Sequence, residues 1–344
     1  MKELIDKLIR ERTLTQEEFA ALIDARGQVR AYAIEQGRQT ALRSFGNKIY
    51  IRGLIEMTNY CKNDCYYCGI RRSNRNCTRY RLTKEDILAC CDVGYPLGFR
   101  TFVLQGGEDG AYSDADLCAI VSAIKARYPD CAVTLSLGER PRESYQRLYD
   151  AGADRYLLRH ETADETHYGR LHPAALSLAN RKRCLYDLNE IGYQVGSGFM
   201  VGSPYQTSQN LAADLCFIRA LSPQMVGIGP FIPHHDTPFA AMPGGSLELT
   251  VFLLALLRLM LPHALIPATT ALATISPDGR KQGILAGANV IMPNLSPADT
   301  RKDYSLYDNK ACMGEEAAEG LAALKAQMRE IGYEIVCARG DYEE

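Results

Sequence analysis

The chain has 344 residues, 47% of them hydrophobic and 23% charged, a balance that permits a large buried core and excludes extended disorder. Its net charge of −2, with Arg71–Arg72 and Arg181–Arg183 as the dense basic runs, gives no basic excess to neutralise nucleic-acid phosphates, so small molecules or proteins are the expected partners. Met1–Arg10 lacks the apolar core and cleavage site of an export signal, which predicts a cytoplasmic protein whose twelve cysteines are mostly reduced.

In chain order, Met1–Arg10 reads as an amphipathic helix, and Thr15 with Glu18 three residues on forms a capping-box pattern at the start of a second. Residues 1–47 are thus expected to be a helical lead-in. From Lys48 onward eight short apolar or β-branched runs alternate with helical patterns: Ile49–Met57, Thr101–Gln105, Ala132–Leu137, Arg155–Arg159, Gln194–Val201, Met225–Phe231, Leu265–Ala271 and Val290–Pro293. Eight βα units predict an α/β fold, a full (βα)8 TIM-type barrel over residues 48–294, with its chemistry at the ends of the strands. Val251–Leu261, the most apolar stretch, contains Arg258, stops at Pro262 and falls short of the ~20 residues of a membrane span, so it reads as a buried barrel helix. Residues 295–344 are expected to form a C-terminal helical extension closing the barrel, with a helix over Glu315–Ile331.

The segment Cys61-Lys-Asn-Asp-Cys65-Tyr-Tyr-Cys68 follows the first strand directly, at the catalytic rim. Three thiolates can hold an iron-sulfur cubane and leave one iron open to a ligand. Structural zinc is the rival metal, but it needs four ligands and no second Cys/His pair accompanies these three. A simple electron-transfer protein would use four cysteines and would not need a barrel. The cysteines at 90, 91, 118, 131, 184 and 216 fall on helix or strand patterns and read as small buried hydrophobes. His234–His235–Asp236 offers metal-type donors, although adjacent residues rarely converge on one ion.

A C-x3-C-x2-C loop after strand one, with the aromatic Tyr67 before its last cysteine, resembles the radical S-adenosylmethionine (SAM) signature. The resemblance implies a 4Fe-4S cluster on Cys61, Cys65 and Cys68, and SAM chelated at the open iron and cleaved to a 5'-deoxyadenosyl radical. It further implies that Gly106, Gly107 and Glu108, in a GGE-like motif, hold the SAM amino group, with Ser136 beside them. Glu161 would bind the ribose, Arg181 the carboxylate, and Met200 would line the adenine pocket. The strings LQGGED, TLSLGER, DRYLLRHET, VGIGPFIPHHDTPFA, IPATTALAT and ANVIMPN are similar to the HydE family, the radical SAM maturase of FeFe-hydrogenase, from about Ile51 to Asn294. This implies assembly of the dithiomethylamine-bridged diiron subcluster from a cysteine-derived organometallic substrate, with the sister maturases HydG and HydF and an external reductant as partners. Arg52, Gln105, Thr134, Arg155, Arg159, Thr269, Thr270 and Tyr304 are the substrate contacts that it suggests. Methylornithine synthase and biotin synthase share the cysteine loop and are the alternatives, which the RHET and IPATTA strings disfavour. The second cluster of some family members is not expected, because Cys312 has no partner nearby and Cys337 is distant.

Overall fold

In the computed structural model, which describes residues 1–311 and 317–343, three helices (Lys2–Glu11, Gln16–Asp24 and Arg30–Phe45) precede the first strand. The expected capping box forms: Thr15 accepts from the Glu18 N–H, and the Glu18 carboxylate accepts from the Thr15 N–H. Eleven strands follow among the described residues: β1 (Lys48–Ile51), β2 (Gly53–Thr58), β3 (Thr101–Gly106), β4 (Ala132–Ser136), β5 (Arg155–Leu157), β6 (Gln194–Ser197), β7 (Met200–Val201), β8 (Met225–Val226), β9 (Gly229–Pro230), β10 (Val290–Ile291) and β11 (Glu334–Val336).

Six of them run parallel in the order β2-β3-β4-β5-β6-β8. The ring continues through single bridges from Met225 to Leu265 and from Pro267 to Val290, then through the pairing of β10 with β1 and a bridge from Leu54 to Asn294. All eight expected positions are occupied, and the fold is an α/β barrel. The seventh run, Leu265–Ala271, makes bridges but no continuous strand, because Pro267 has no N–H to give to a ladder. The first run is interrupted at Arg52, between β1 and β2, and the fifth between β6 and β7.

The apolar stretch lies in the helix Leu247–Met260, buried without interruption from Thr250 onward. Arg258 is tolerated there because its guanidinium reaches the carbonyls of Gly287, Pro262 and Ala264 and the Asn289 side chain. Burial pulls its pKa down to about 9. Among the described residues no helix is long and apolar enough to cross a membrane.

The C-terminal residues bear on both ends of the barrel. β11 pairs with the edge of β1 on the side where β2 meets β3, and the chain then crosses the barrel floor. There Arg155 donates to the carbonyls of Arg339 and Gly340, each at 3.1 Å, and pairs with Asp341 at 2.5 Å. Arg52, fully buried, contacts Met225 Sδ and the Gly340 carbonyl. Arg52 and Arg155 are therefore not at the rim, where the resemblance put them among the substrate contacts. Arg155 and Arg159 do share the inward face of one strand, but four residues of strand span about 13 Å, which separates floor from rim. The helix Ala317–Glu330 overlaps the expected Glu315–Ile331, whose first two residues, like Cys312, lie outside the described ones.

Removing the Asp341 carboxylate leaves Arg155 with fewer acceptors at a buried site. Asp341→Ala is expected to lower unfolding stability in denaturant by ~1–3 kcal/mol and to leave SAM affinity unchanged. Weaker SAM binding at unaltered stability would place Arg155 in the site after all.

Candidate active site

Beyond β2 the chain enters the cysteine loop, which is built around one guanidinium. Arg79 donates to the carbonyls of Ile70 (2.8 Å), Arg71 (2.7 Å) and Asn74 (3.0 Å), and also to that of Asn59. The buried Asn59 amide donates to the carbonyls of Thr78 and Asp303, each at 2.7 Å, and accepts from the Tyr80 N–H. Asp64 takes Arg71 Nε at 2.7 Å together with the Ser73 N–H and hydroxyl, which holds its carboxyl well below the usual range. Irregular backbone is thus satisfied group by group, and Cys61, Cys65 and Cys68 line a cavity of about 340 Å³ with their thiols free.

Burial raises all three thiols, Cys65 to about 12 with the neighbouring Cys61 adding to it. Alone they stay protonated, so a cationic centre that binds here must displace protons. Among the described residues, the group of metal-type donors drawn within 4.8 Å of one another is His234, His235 and Asp236, not the cysteines. Among the described residues lining the cavity no fourth Cys and no His accompanies the three thiols, which suits a cluster with an open iron better than a closed zinc site.

The same cavity is lined by Tyr67, Gln105, Gly106, Gly107, Glu108, Ser136, Arg159, Glu161, Arg181, Met200, Thr269, Thr270 and Tyr304. Gly107 allows the end of β3 to pack on the cysteine loop, since a Cβ there would sit 2.2 Å from the Tyr60 carbonyl oxygen. Gly138, at φ +74°, leaves the space that the Glu108 carboxylate fills, and Glu108 accepts from the Glu139 N–H at 3.0 Å. Glu161 is held at φ +65°, a costly conformation for a non-glycine residue and one that clusters at functional sites. Its Oε2 lies 3.0 Å from Arg159 Nη2, yet neither atom has a hydrogen-bond partner.

Arg181 is not a solvated helix residue. It is buried with Nε on Glu139 at 2.5 Å and Nη1 on the Arg159 carbonyl at 2.9 Å, and nearby anionic groups raise its pKa against the cost of burial. Glu139 escaped the sequence reading although it stands within TLSLGER. Thr134 is absent from the cavity wall; it lies two residues deeper than Ser136 on the same face of β4, its buried hydroxyl unpartnered.

A strap from Asp303 to Ala311 covers the mouth. Tyr304 enters the cavity and accepts from Gln105 at 3.3 Å, and Leu306 accepts from the Gly69 N–H beside Cys68. Lys310 reaches under the strap to the fully buried Glu56, which Asn294 also contacts at 2.8 Å. Nothing in the local sequence marks Glu56 and Lys310, which are 254 residues apart. His235 sits between carboxylates, with Asp308 2.6 Å from Nδ1 and Asp236 3.3 Å from Nε2. His234 Nδ1 accepts from the Asp236 N–H, so its neutral tautomer presents N–H at Nε2. The trio thus serves as a clasp for the strap.

The Radical SAM superfamily model matches residues 55–217. The FeFe-hydrogenase maturase subunit HydE of Thermotoga maritima is 45% identical over 317 residues, covering 92% of this chain and 90% of the relative. This chain belongs to the HydE family. It is a radical SAM enzyme, and its cofactors are a 4Fe-4S cluster and SAM. Other relatives of this HydE-family chain are more distant. The 3-methylornithine synthase of Methanosarcina acetivorans is 26% identical over 86% of this chain and 83% of its own. A crystal structure of methylornithine synthase superposes with a TM-score of 0.84 over 97% of each chain at 25% identity. One of HydG gives 0.81 over 96% of this chain and 74% of that one, at 21% identity, and supports the fold.

Asp308 raises the pKa of His235, so the His235–Asp308 attraction is complete below the ordinary histidine value of ~6.5 and is lost as pH rises through the raised one. Exchange protection of the Asp308 and Gly69 amides, corrected for intrinsic rates, is expected to fall as pH is taken from 6 to 9. Asp308→Asn should abolish that dependence; an unchanged profile would remove His235 from the clasp.

Proposed function

We propose that this HydE-family chain is a maturase of FeFe-hydrogenase, working in the cytoplasm with HydG, HydF and an external reductant on a cysteine-derived organometallic substrate of the dithiomethylamine-bridged subcluster. One observation carries this reading: a single cavity has a thiol loop on one wall and buried, unpartnered donors on another. Arg159 Nε and Thr269 Oγ1 are of the second kind, and Arg159 Nη2 has only the Glu161 carboxylate, 3.0 Å away and without hydrogen-bond geometry. Each unmet buried polar atom costs ~1–3 kcal/mol, so the wall is arranged for an anionic ligand that supplies the acceptors.

In this reading Cys61, Cys65 and Cys68 hold the cluster and leave one iron open, with Tyr67 packed beside them. When bound, the cluster supplies the electron that splits SAM into methionine and a 5'-deoxyadenosyl radical. Glu108, with the backbone of Gly106 and Gly107, orients the SAM amino group. Arg181, fixed by Glu139, meets its carboxylate. Glu161 accepts from the ribose hydroxyls, while Ser136 and Met200 border the nucleoside. Arg159, Gln105, Thr269, Thr270 and Tyr304 contact the substrate, with Thr134 behind them, and the strap keeps water from the reacting carbon.

The test pairs two substitutions. Glu161→Ala should keep four irons per chain and weaken SAM binding by ~1–3 kcal/mol, because it removes an acceptor and no iron ligand. Arg159→Lys should still form 5'-deoxyadenosine but lose hydrogenase maturation with purified partners, since an ammonium cannot replace a planar guanidinium. Full maturation by Arg159→Lys would strike that residue from the substrate contacts. Failure of the wild type to replace HydE in the same assay would end the maturase reading.

A further inference from the structure

Electrons consumed in the cavity must arrive from outside, and exposed cations stand on and beside the cysteine loop. Cys61–Arg81 holds six Lys/Arg against the single Asp64, and two of the six, Lys62 and Arg81, are paired with Glu108 and Asp109 beyond the end of β3. Asp64 is already neutralised by Arg71 and takes a hydrogen bond from the Ser73 hydroxyl, and Arg79 is spent on backbone carbonyls. Arg72 and Arg75 are exposed and form no ion pair among the described residues. A third such cation, Arg170, stands at the end of the helix Glu165–Leu171, where the Leu171 carbonyl accepts from the Tyr66 N–H of the cysteine loop.

Aromatic contacts run from Arg170 through the buried Phe239 to the cysteine loop, where they end on Arg71, the neighbour of Arg72. Arg170 lies over the Tyr205 ring at 5.3 Å, Tyr205 meets Phe239 at 6.3 Å, Phe239 meets Tyr66 at 6.1 Å, and Arg71 lies over Tyr66 at 5.9 Å. Tyr205 is 52% exposed and adopts φ +67°, so a strained backbone displays an aromatic ring to solvent. Exposed tyrosine and unpaired arginine are what docking surfaces are enriched in, and an unbalanced positive field steers acidic partners.

We propose that this face, centred on Arg72, Arg170 and Tyr205, docks a small acidic one-electron carrier protein. Its carboxylates pair with Arg72, Arg75 and Arg170, and its redox centre comes to rest over the cysteine loop. One electron leaves the carrier and one enters the cluster; no atom or proton is exchanged. The inference rests on the cluster being held by Cys61, Cys65 and Cys68.

The experiment uses the reconstituted holoenzyme and an acidic bacterial ferredoxin as probe, compared with Arg72→Glu/Arg170→Glu and with Tyr205→Ala. Both arginines are exposed, so the charge reversal should not disturb folding. Ferredoxin affinity should fall about tenfold or more in the double variant and should weaken with salt in the wild type. Cluster reduction by ferredoxin, followed by stopped flow, should slow in parallel, while reduction by dithionite and SAM affinity stay unchanged. Tyr205→Ala should weaken docking several-fold without altering the salt dependence. Equal ferredoxin affinity in wild type and double variant would overturn the docking face. So would an oligonucleotide that binds as tightly as ferredoxin, marking a general polyanion surface. Binding is measured separately from reduction. A wild type that docks ferredoxin through these arginines but holds no reducible cluster would therefore overturn the cluster assignment and not the face.

Discussion

A cation taken out of water must find acceptors or give up its charge, and the interior of this barrel encloses several. Arg258 is met by carbonyls at a helix end, Arg155 by the tail, Lys310 by Glu56 and Arg181 by Glu139. Each of these pairings except that of Arg258 fixes one piece of chain to another distant in sequence. Arg159 differs, because it pairs with Glu161 at 3.0 Å while two of its nitrogens, facing the cavity, are buried without a hydrogen bond. Among the described residues its charge is offset by Glu161 alone, and the hydrogen-bonding capacity that remains faces the cavity.

The pairings also explain how one C-terminal extension acts on both ends of the barrel. At the floor, Asp341 and the carbonyls of Arg339 and Gly340 cover Arg155 and Arg52, which concerns stability, as the starts of barrel strands usually do. At the rim, Lys310 on Glu56 and Asp308 on His235 hold Tyr304 in the cavity, which concerns chemistry. The two tasks lie on either side of the helix Ala317–Glu330, so either set of contacts can change without loss of the other.

The strand runs and the cysteine loop were legible because they are local. Period-two apolar runs and a fixed C-x3-C-x2-C spacing are set within a few residues, and the structure fills all eight barrel positions from them. Depth along a strand is not local in that sense. Period two tells that Arg155 and Arg159 share a face, but which of them is at the floor depends on where the strand starts, and on a tail 186 residues away. Glu139, Glu56 and Lys310 were missed for the same reason, since an isolated acid or lysine carries no sign of a partner far along the chain. Arg181 was found through a family resemblance alone; on its helix it is indistinguishable from a solvated residue until Glu139 and Glu108 are seen beside it.

Tyr67 shows how far hydrogen-bond accounting can carry a residue that sequence marks only as aromatic. His172 Nδ1 faces the Tyr168 carbonyl at 3.0 Å, and a carbonyl can only accept, so Nδ1 carries the proton. Nε2 is then an acceptor, and the Tyr67 hydroxyl, 3.1 Å away, must donate to it. Burial holds His172 neutral by lowering its pKa to about 3, so this arrangement persists throughout the physiological range. The Tyr67 hydroxyl is thus committed to His172, and what the residue offers the cavity is its ring. The ring lines the cavity beside Cys65 and Cys68, and its hydroxyl proton is not available to a ligand there. A cluster held on these cysteines would meet that ring on one side in place of a hydrogen-bonding group.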